Sequence, residues 1–474
     1  MPSRILVPLI IACALFMENL DSTVLSTALP AIAADLGEDP IRLKLALTSY
    51  LLSLAIFIPA SGWLADRLGA RHVFRAALVV FTLGSILCAL STSIGGLVGA
   101  RIVQGLGGAM MVPVGRLVIL RTVPKHELVA SLAWLTVPAL IGPVMGPPLG
   151  GFITTYFSWR WIFWINVPIG LLGLVLATLF VPDVRGETPR RFDAAGFLLS
   201  AAGLAALVTG ATTLGLDILP GAVVLSCLAA GAGLLTAYVL HARRSVAPIL
   251  DLSLLRIPTF RASVLGGGLF RIGIGATPFL LPLMLQLGYG LTPFESGMVT
   301  FVGAVGAITM KFIAQPILRR HGFRSILAVN AAICAGFAAI PAAFTEATPL
   351  LAIMAILLIG GLFRSLQFTA INAVAFADVD PDRMSRATSL TSVTQQVALA
   401  VGISLGALTL ELATRGRPEV HFAVDDFTLP FLVIGAVSAV AVLVFRRLPP
   451  DAGSEMSGHG RPPRGDAVTA MRER

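Results

Sequence analysis

The sequence predicts an all-α polytopic membrane protein: two six-helix bundles with two extra central helices, fourteen transmembrane helices in all. Three observations predict it. Of 474 residues, 56% are hydrophobic and only 12% charged, against about 25% charged in a soluble domain. Fourteen apolar runs are long enough for transmembrane helices, which need about 20 residues. The first six runs and the last six share short motifs in matching places.

The first six spans fall near residues 5–30, 43–64, 73–91, 96–120, 129–156 and 161–181. Two more fall near 194–215 and 219–241, and the last six near 260–287, 293–318, 325–345, 350–377, 386–413 and 427–446. Loop charge supports this count. Bases gather at Arg4, then at Arg67, Arg71 and Arg75, at Arg121 and Lys125, and at Arg185, Arg190 and Arg191. They recur at Arg243, Arg244, Arg256 and Arg261, at Arg319, Arg320 and Arg324, at Arg383 and Arg386, and in the tail. The alternate loops keep only Arg42, Lys44, Arg160, Arg415 and Arg417. Lys and Arg favour cytoplasmic loops, and a missed helix would invert the bias downstream, so both termini are expected in the cytoplasm. The first span has no small-residue cleavage site and reads as a mature helix rather than a signal peptide. The tail from Pro449 to Arg474, rich in Pro, Gly and charge, reads as disordered. The expected division is an N-terminal bundle over 1–181, a linker with two inserted helices over 182–255, a C-terminal bundle over 256–447 and a cytoplasmic tail over 448–474.

The repeat is local but ordered. "GARIVQG" in the fourth span and "LFRSLQF" in the twelfth share Arg-x-x-Gln, at Arg101 and Gln104 and at Arg364 and Gln367. "DRLGARHVF" after the second span and "RRHGFRSIL" after the tenth align Gly69 with Gly322 and Arg71 with Arg324. Two related six-helix halves are a transporter architecture, with substrate bound at the midplane between them.

Charges inside the spans mark candidate functional residues, because each is costly in lipid. "MENLDSTVLSTALP" (Met17 to Pro30) holds Glu18 and Asp21, whose spacing puts both on one face of a helix. Two such acids cannot easily both carry charge in a dry site, which suits a carrier that loads a proton on one side and releases it on the other. The alternative is a static ion pair with an intramembrane arginine. The bases are Arg101, Arg116, Arg271, Lys311 and Arg364; Arg116 and Lys311 could instead reach toward the inner surface. The surplus of bases over acids leaves two readings for the second half. Arg271, Lys311 and Arg364 answer an anionic or zwitterionic substrate, or Arg364 pairs with Asp21 or Glu18 while the others brace helices. "SGWLADRLGARHVF" (Ser61 to Phe74) is a short polar connection in which Gly62 and Gly69 permit a tight turn. Asp66 is placed to meet a helix N-terminus, and Arg67 and Arg71 to pair across the inner surface.

Several of these stretches resemble, in order, the signatures of the major facilitator superfamily. "GWLADRLGARHVF" resembles its motif A, and "LDSTVLSTALP" the helix 1 motif of its drug:proton antiporters. "RIVQGLGGAMMVP" resembles motif B, "PALIGPVMGPPLGGF" the antiporter motif C, and "WRWIFWINVPIG" the sixth helix of the fourteen-helix branch. The nearest group is the EmrB/QacA family, with a likeness to MdtD-type transporters in "GGAMMVPVGRL" and "RIGIGATPFLLPLMLQ". The resemblance implies that Asp66 helps lock one state of the gating loop and that Arg101 takes part in proton transfer with Asp21 and Glu18. It implies that Gly142, Pro143, Gly146, Pro147, Gly150 and Gly151 form the antiporter motif. The first and fourth helices of each half would line the cavity, with Gln104, Arg271, Arg364 and Gln367 facing substrate, while the third and sixth would face lipid. The second copy of motif A departs from the pattern, since Arg319 stands where Asp66 does.

Other classes find little support. The four cysteines lie singly in apolar segments, so no metal ligand set or disulfide is expected. All six histidines fall in expected loops or the tail, and no HExxH, GxSxG or Walker A pattern occurs. An enzyme, a primary pump and a channel are therefore disfavoured. The net charge of +9 is spread between apolar runs, which speaks against nucleic acid. The expectation is a proton-coupled exporter of amphiphilic drugs or small molecules in a bacterial inner membrane, with no cofactor, acting as a monomer. Importers and metabolite or lipid exporters of the same fold are the alternative.

Overall fold

The computed structural model describes residues 2–123, 128–185, 192–216, 218–415 and 422–457. Lys125, Arg190, Arg191, Arg417 and the tail from residue 458, which entered the expectations on charge and disorder, lie outside the described residues, as does the side chain of Arg4. Among the described residues there is no strand. In hydrocarbon every backbone polar group must be satisfied within its own segment, and helices do this.

The helices are α1 (Pro2–Leu36), α2 (Lys44–Leu68), α3 (Ala70–Ala89), α4 (Ile94–Thr122), α5 (Leu128–Tyr156), α6 (Trp161–Phe180), α7 (Ala194–Thr213), α8 (Gly221–Arg244), α9 (Pro258–Gly288), α10 (Pro293–Ala339), α11 (Leu350–Val374), α12 (Met384–Thr414) and α13 (Thr428–Phe445). Among the described residues, twelve helical stretches are long and apolar enough to cross a membrane, and α5 runs for 29 residues beside them. Side-chain caps fix several starts. Ser93 accepts from the Gly96 amide before α4, and Thr292 and Glu295 form a capping box at α10. Gly69 (φ 92) separates α2 from α3, and Gly322 (φ 71, ψ 166) breaks α10. These are the two glycines the repeat aligned, both at positive φ, which glycine alone adopts freely. Leu179, Leu225, Phe312 and Leu351 point outward and are exposed, as a lipid-facing surface requires.

The two halves close on one side and part on the other. Leu20, Val24 and Leu29 of α1 share one buried core with Phe279, Leu280 and Met284 of α9 and Phe427 and Phe431 at the start of α13. This is the side that carries Asp35, whose carboxylate accepts from Trp159 Nε1 at 3.1 Å and Arg160 Nη1 at 2.7 Å. On the opposite side a cavity of about 780 Å3 lies between Asp66 and Arg121 of the first half and Ser385, Arg386 and Ser389 of α12. α7 packs against both α2 and α12.

Three placements differ from the sequence expectation. Lys44 is not a loop base: it begins α2, fully buried, where the charges of Glu411 and Asp39 act on it. His72, His241 and His321 lie in helices rather than loops. Leu448 and Ala452 pack into the second-half core, and Gly453 lies against Phe323 and Ala377, so the segment just past α13 is docked.

Candidate functional site

Asp21 is the central residue of the Leu6–Leu36 span and is almost fully buried. Its Oδ2 accepts from Arg101 Nη1 at 2.5 Å. Its Oδ1 accepts from Gln104 Nε2 and from Asn166 Nδ2, each at 2.8 Å. Ser85 Oγ accepts from the same two amides, at 2.8 and 3.3 Å. Arg101 also donates to Gln104 Oε1 at 2.6 Å and from Nε to the Ala46 carbonyl at 3.3 Å, and its guanidinium lies 4.2 Å from the Tyr50 ring centroid. Arg101 is 1% exposed and Gln104, Asn166 and Ser85 are 0% exposed, so the network is dry. Five elements meet here: α1, α2, α3, α4 and α6. A charge pair in so low a dielectric holds strongly while both partners are charged, and a proton placed on Asp21 would cancel that hold.

Sequence reasoning missed Ser85, Asn166 and Tyr50. The third and sixth helices carry no charge beyond their ends and were assigned wholly to lipid, yet each contributes one polar side chain to the network around Asp21. The signal available was the isolation of Ser85 and Asn166 in apolar runs. Glu18 does not join the network. It is half-buried, one carboxylate oxygen lacks a hydrogen-bond partner, and the nearby charge acting on it most is that of Arg116.

The other face of α1 lines a second cavity, of about 510 Å3, between the halves. Asn19, Ser22, Thr23 and Ser26 form its wall on α1, Pro143 and Pro147 on α5, and Arg364 and Phe368 on α11. Of the four residues expected to face substrate, only Arg364 lines this space. Gln104 is withdrawn into the Asp21 network. Gln367 accepts from Asn330 Nδ2 at 2.9 Å and donates to the Leu327 carbonyl at 3.1 Å, bracing α11 against α10. Arg271 is 2% exposed, donates to Asn372 Oδ1 at 2.9 Å and lies over Phe368. Lys311 donates to Thr369 Oγ1 at 3.1 Å. An Arg364 pair with Asp21 or Glu18 does not form, because the donors of Arg101, Gln104 and Asn166 already occupy Asp21.

The residues expected to form a gating loop are arranged differently from the expectation. Asp66 accepts from Arg121 Nη2 at 2.8 Å, within its own half, and not from a helix N-terminus. Arg67 lies over the Trp63 ring, and Arg71 donates to the Thr178 carbonyl. Among the described residues neither arginine forms an ion pair. A Cβ on Gly69 would sit 2.3 Å from Asp183 Oδ1, whereas one on Gly62 would meet nothing within 4 Å. In the antiporter motif, Gly142, Gly146 and Gly150 recur every fourth residue on one face of α5. Cβ atoms there would approach Leu20 N, Thr23 Oγ1 and Thr27 Oγ1 at 3.0, 2.0 and 2.6 Å. Gly151 faces α10 instead, where a Cβ would lie 2.3 Å from the Pro293 carbonyl. Small residues let membrane helices approach closely, and α5 uses them against both halves.

The model of the Major Facilitator Superfamily matches residues 11–403 and 263–467. The chain belongs to the Major Facilitator Superfamily. Its relatives in this transporter family include MdtD, a candidate multidrug resistance protein, from Salmonella heidelberg (strain SL476). That protein is 37% identical over 459 residues, covering 94% of this chain and 95% of the relative. MdtD of Pectobacterium carotovorum subsp. carotovorum (strain PC1) is 38% identical over 450 residues, with 93% and 95% covered. The crystal structure of a D-xylose–proton symporter matches with TM-score 0.68 at 15% identity, over 94% of this chain and 98% of that one. At that identity the likeness concerns the fold alone. This superfamily member is thus a multi-pass transporter and not an enzyme.

Proposed function

We propose that this chain is a proton-coupled exporter of amphiphilic small molecules, working by alternating access in a bacterial inner membrane. Its likeness to MdtD supports efflux of drug-like compounds. The observation that carries the coupling is that one helix serves both sites. α1 presents Asp21 to Arg101 and, on neighbouring turns, Asn19, Ser22, Thr23 and Ser26 to the central cavity. Protonation of Asp21 would release Arg101 and let α1 shift, which changes the wall the substrate sees. Glu18 reads as the acid of the proton path on the cytoplasmic side of Asp21, and Arg101 as the base that holds Asp21 while it is charged.

The remaining roles follow from position. Asp66, Arg67, Gly69, Arg71 and Gly62 form the gating loop beside the open cavity; Asp66, now held by Arg121, is free to trade partners when that side closes. The α5 glycines seal the closed side. Fourteen spans suit the chain: the stretch Pro293–Ala343 has 51 residues, about 76 Å at 1.5 Å each, against a hydrocarbon core of about 30 Å. Gly322 would divide it into two, and α5 supplies another. With the Asp66 side cytoplasmic, as its arginines favour, both termini lie inside. The bundles are then 1–181 and 256–447, with α7 and α8 inserted between them.

Inside-out vesicles supplied externally with a fluorescent amphiphile under an imposed pH gradient test this. Asp21→Asn should abolish gradient-driven accumulation, and Glu18→Gln should keep transport with a displaced pH profile. Asp21→Asn leaves Arg101 buried without its counter-charge, a loss of about 3–5 kcal/mol. The double variant Asp21→Asn with Arg101→Gln removes both charges and should recover part of that stability while remaining uncoupled. Accumulation undiminished in Asp21→Asn would sink the proposal.

A further inference from the structure

We propose that the central cavity selects amphiphilic anions, with Arg364 holding the charged group. This rests on the transport reading above and adds the substrate class. The cavity, about 510 Å3, falls in the range of drug-sized sites, about 300–1,000 Å3. Among the residues that line it, Arg364 alone bears a formal charge. Among the described residues, Arg364 has neither a hydrogen bond nor an ion pair. The other intramembrane bases are answered: Arg101 by Asp21, Arg116 by the charge of Glu18, Lys44 by the charges of Glu411 and Asp39, Arg271 by Asn372 and Lys311 by Thr369.

The cavity also lacks a carboxylate to pair with a cationic substrate. Both oxygens of Asp21 are occupied by Arg101, Gln104 and Asn166, and Glu18 is not among the lining residues. The remaining wall is mostly apolar on the second half, with Leu281, Phe337, Phe368 and Phe431 beside Thr277 and Thr300, and offers the hydroxyls of α1 opposite. A lone arginine in apolar surroundings is costly without a partner. Its planar fork of donors matches carboxylate, sulfonate or phosphate. The occupant that satisfies both conditions is a compact apolar body with one anionic group.

Calorimetry on the purified protein in zwitterionic-lipid nanodiscs, without any gradient, separates this from proton coupling. Three probes share one naphthalene body: a sulfonate, a trimethylammonium and a neutral methyl sulfone. The sulfonate should bind at least tenfold more tightly than the ammonium. Arg364→Gln should remove that preference with the sulfone unaffected, and Arg364→Lys should retain part of it. The same ranking should persist in Asp21→Asn, so loss of coupling there does not bear on selectivity. Displacement of the sulfonate by decyl phosphate assigns the site to free small anions, and displacement only by lysophosphatidylglycerol to lipid headgroups. An ammonium that binds as tightly as the sulfonate in the unmutated protein, sulfonate affinity unchanged in Arg364→Gln, or displacement by neither phosphate would overturn the proposal.

Discussion

Asp21 and Asp251 are both buried and both meet arginine, yet only the first could be singled out from the sequence. Asp21 was legible because a carboxylate in an apolar run is expensive and therefore conspicuous. Asp251 lies in the short segment between α8 and α9, where charge is unremarked, and its partners are 132 and 135 residues away. Arg383 and Arg386 were read only as inner-loop bases. In the structure Arg383 Nη2 and Arg386 Nη1 donate to Asp251 Oδ2 at 3.0 and 3.2 Å, and Ser253 donates to Oδ1 from its amide and its hydroxyl. Burial pushes the Asp251 carboxyl up, but the hydrogen bonds from Ser253, Arg383 and Arg386 outweigh it and hold the group below its ordinary range. A depressed native value means the stabilisation is complete above the unfolded value of about 3.9. It is lost as pH falls through the native value. Thermal unfolding of detergent-solubilised protein between pH 3 and 7 should show a falling midpoint below about pH 4. Asp251→Asn should flatten that fall and cost about 1–3 kcal/mol at pH 7. An acid slope and a neutral midpoint both equal to the parent's would refute the role.

At the level of the element, spacing reveals a glycine face but not what lies against it. The recurrence of Gly142, Gly146 and Gly150 at every fourth residue announced a side-chain-free stripe on α5, and the structure places α1 there. Gly62, also within a family motif, has open space around its missing Cβ, and no pattern in one sequence distinguishes the two cases. The break in α10 was legible, because Gly322 aligned with Gly69 in a repeat. The contributions of α3 and α6 to the Asp21 site were not, because one serine or asparagine per span changes neither its hydropathy nor its charge. Paired substitutions measure the difference between the glycines. Gly146→Ala places a methyl 2.0 Å from Thr23 Oγ1 and 2.6 Å from Thr23 Cβ, so α1 must move, at about 1–3 kcal/mol for overpacking. Thr23 also lines the cavity, so transport should fall with stability. Gly62→Ala removes a helix-interior glycine with no clash and should gain up to about 1 kcal/mol. Equal unfolding midpoints for the two variants would contradict this account of α5.

For the whole molecule, the sequence conveys two halves and their repeat but not which side is shut, since alternating access uses the same residues in both states. That information lies in contacts between halves, and one of them is a single side chain. Gln286, near the end of α9, is 9% exposed and donates from Nε2 to the Thr27 carbonyl of α1 at 2.9 Å. A carbonyl has a second lone pair beyond its helical bond, so this contact can form on closure and break on opening without damaging α1. Its net worth is about 1 kcal/mol, and a difference of that size changes a two-state ratio by about fivefold. Gln286→Leu keeps the volume and the apolar core around it while deleting the bond, and should therefore favour opening on the Asp35 side. Spin labels at Ser158 and Ala347, exposed positions on that side in opposite halves, would report it. The expected result is a longer-distance population about fivefold larger than in the parent, with the bound substrate's affinity unchanged because Gln286 is not among the residues lining the cavity. An unchanged distance distribution would mean that the apolar core of α1, α9 and α13 alone holds the closed side, and that Gln286 is incidental to it.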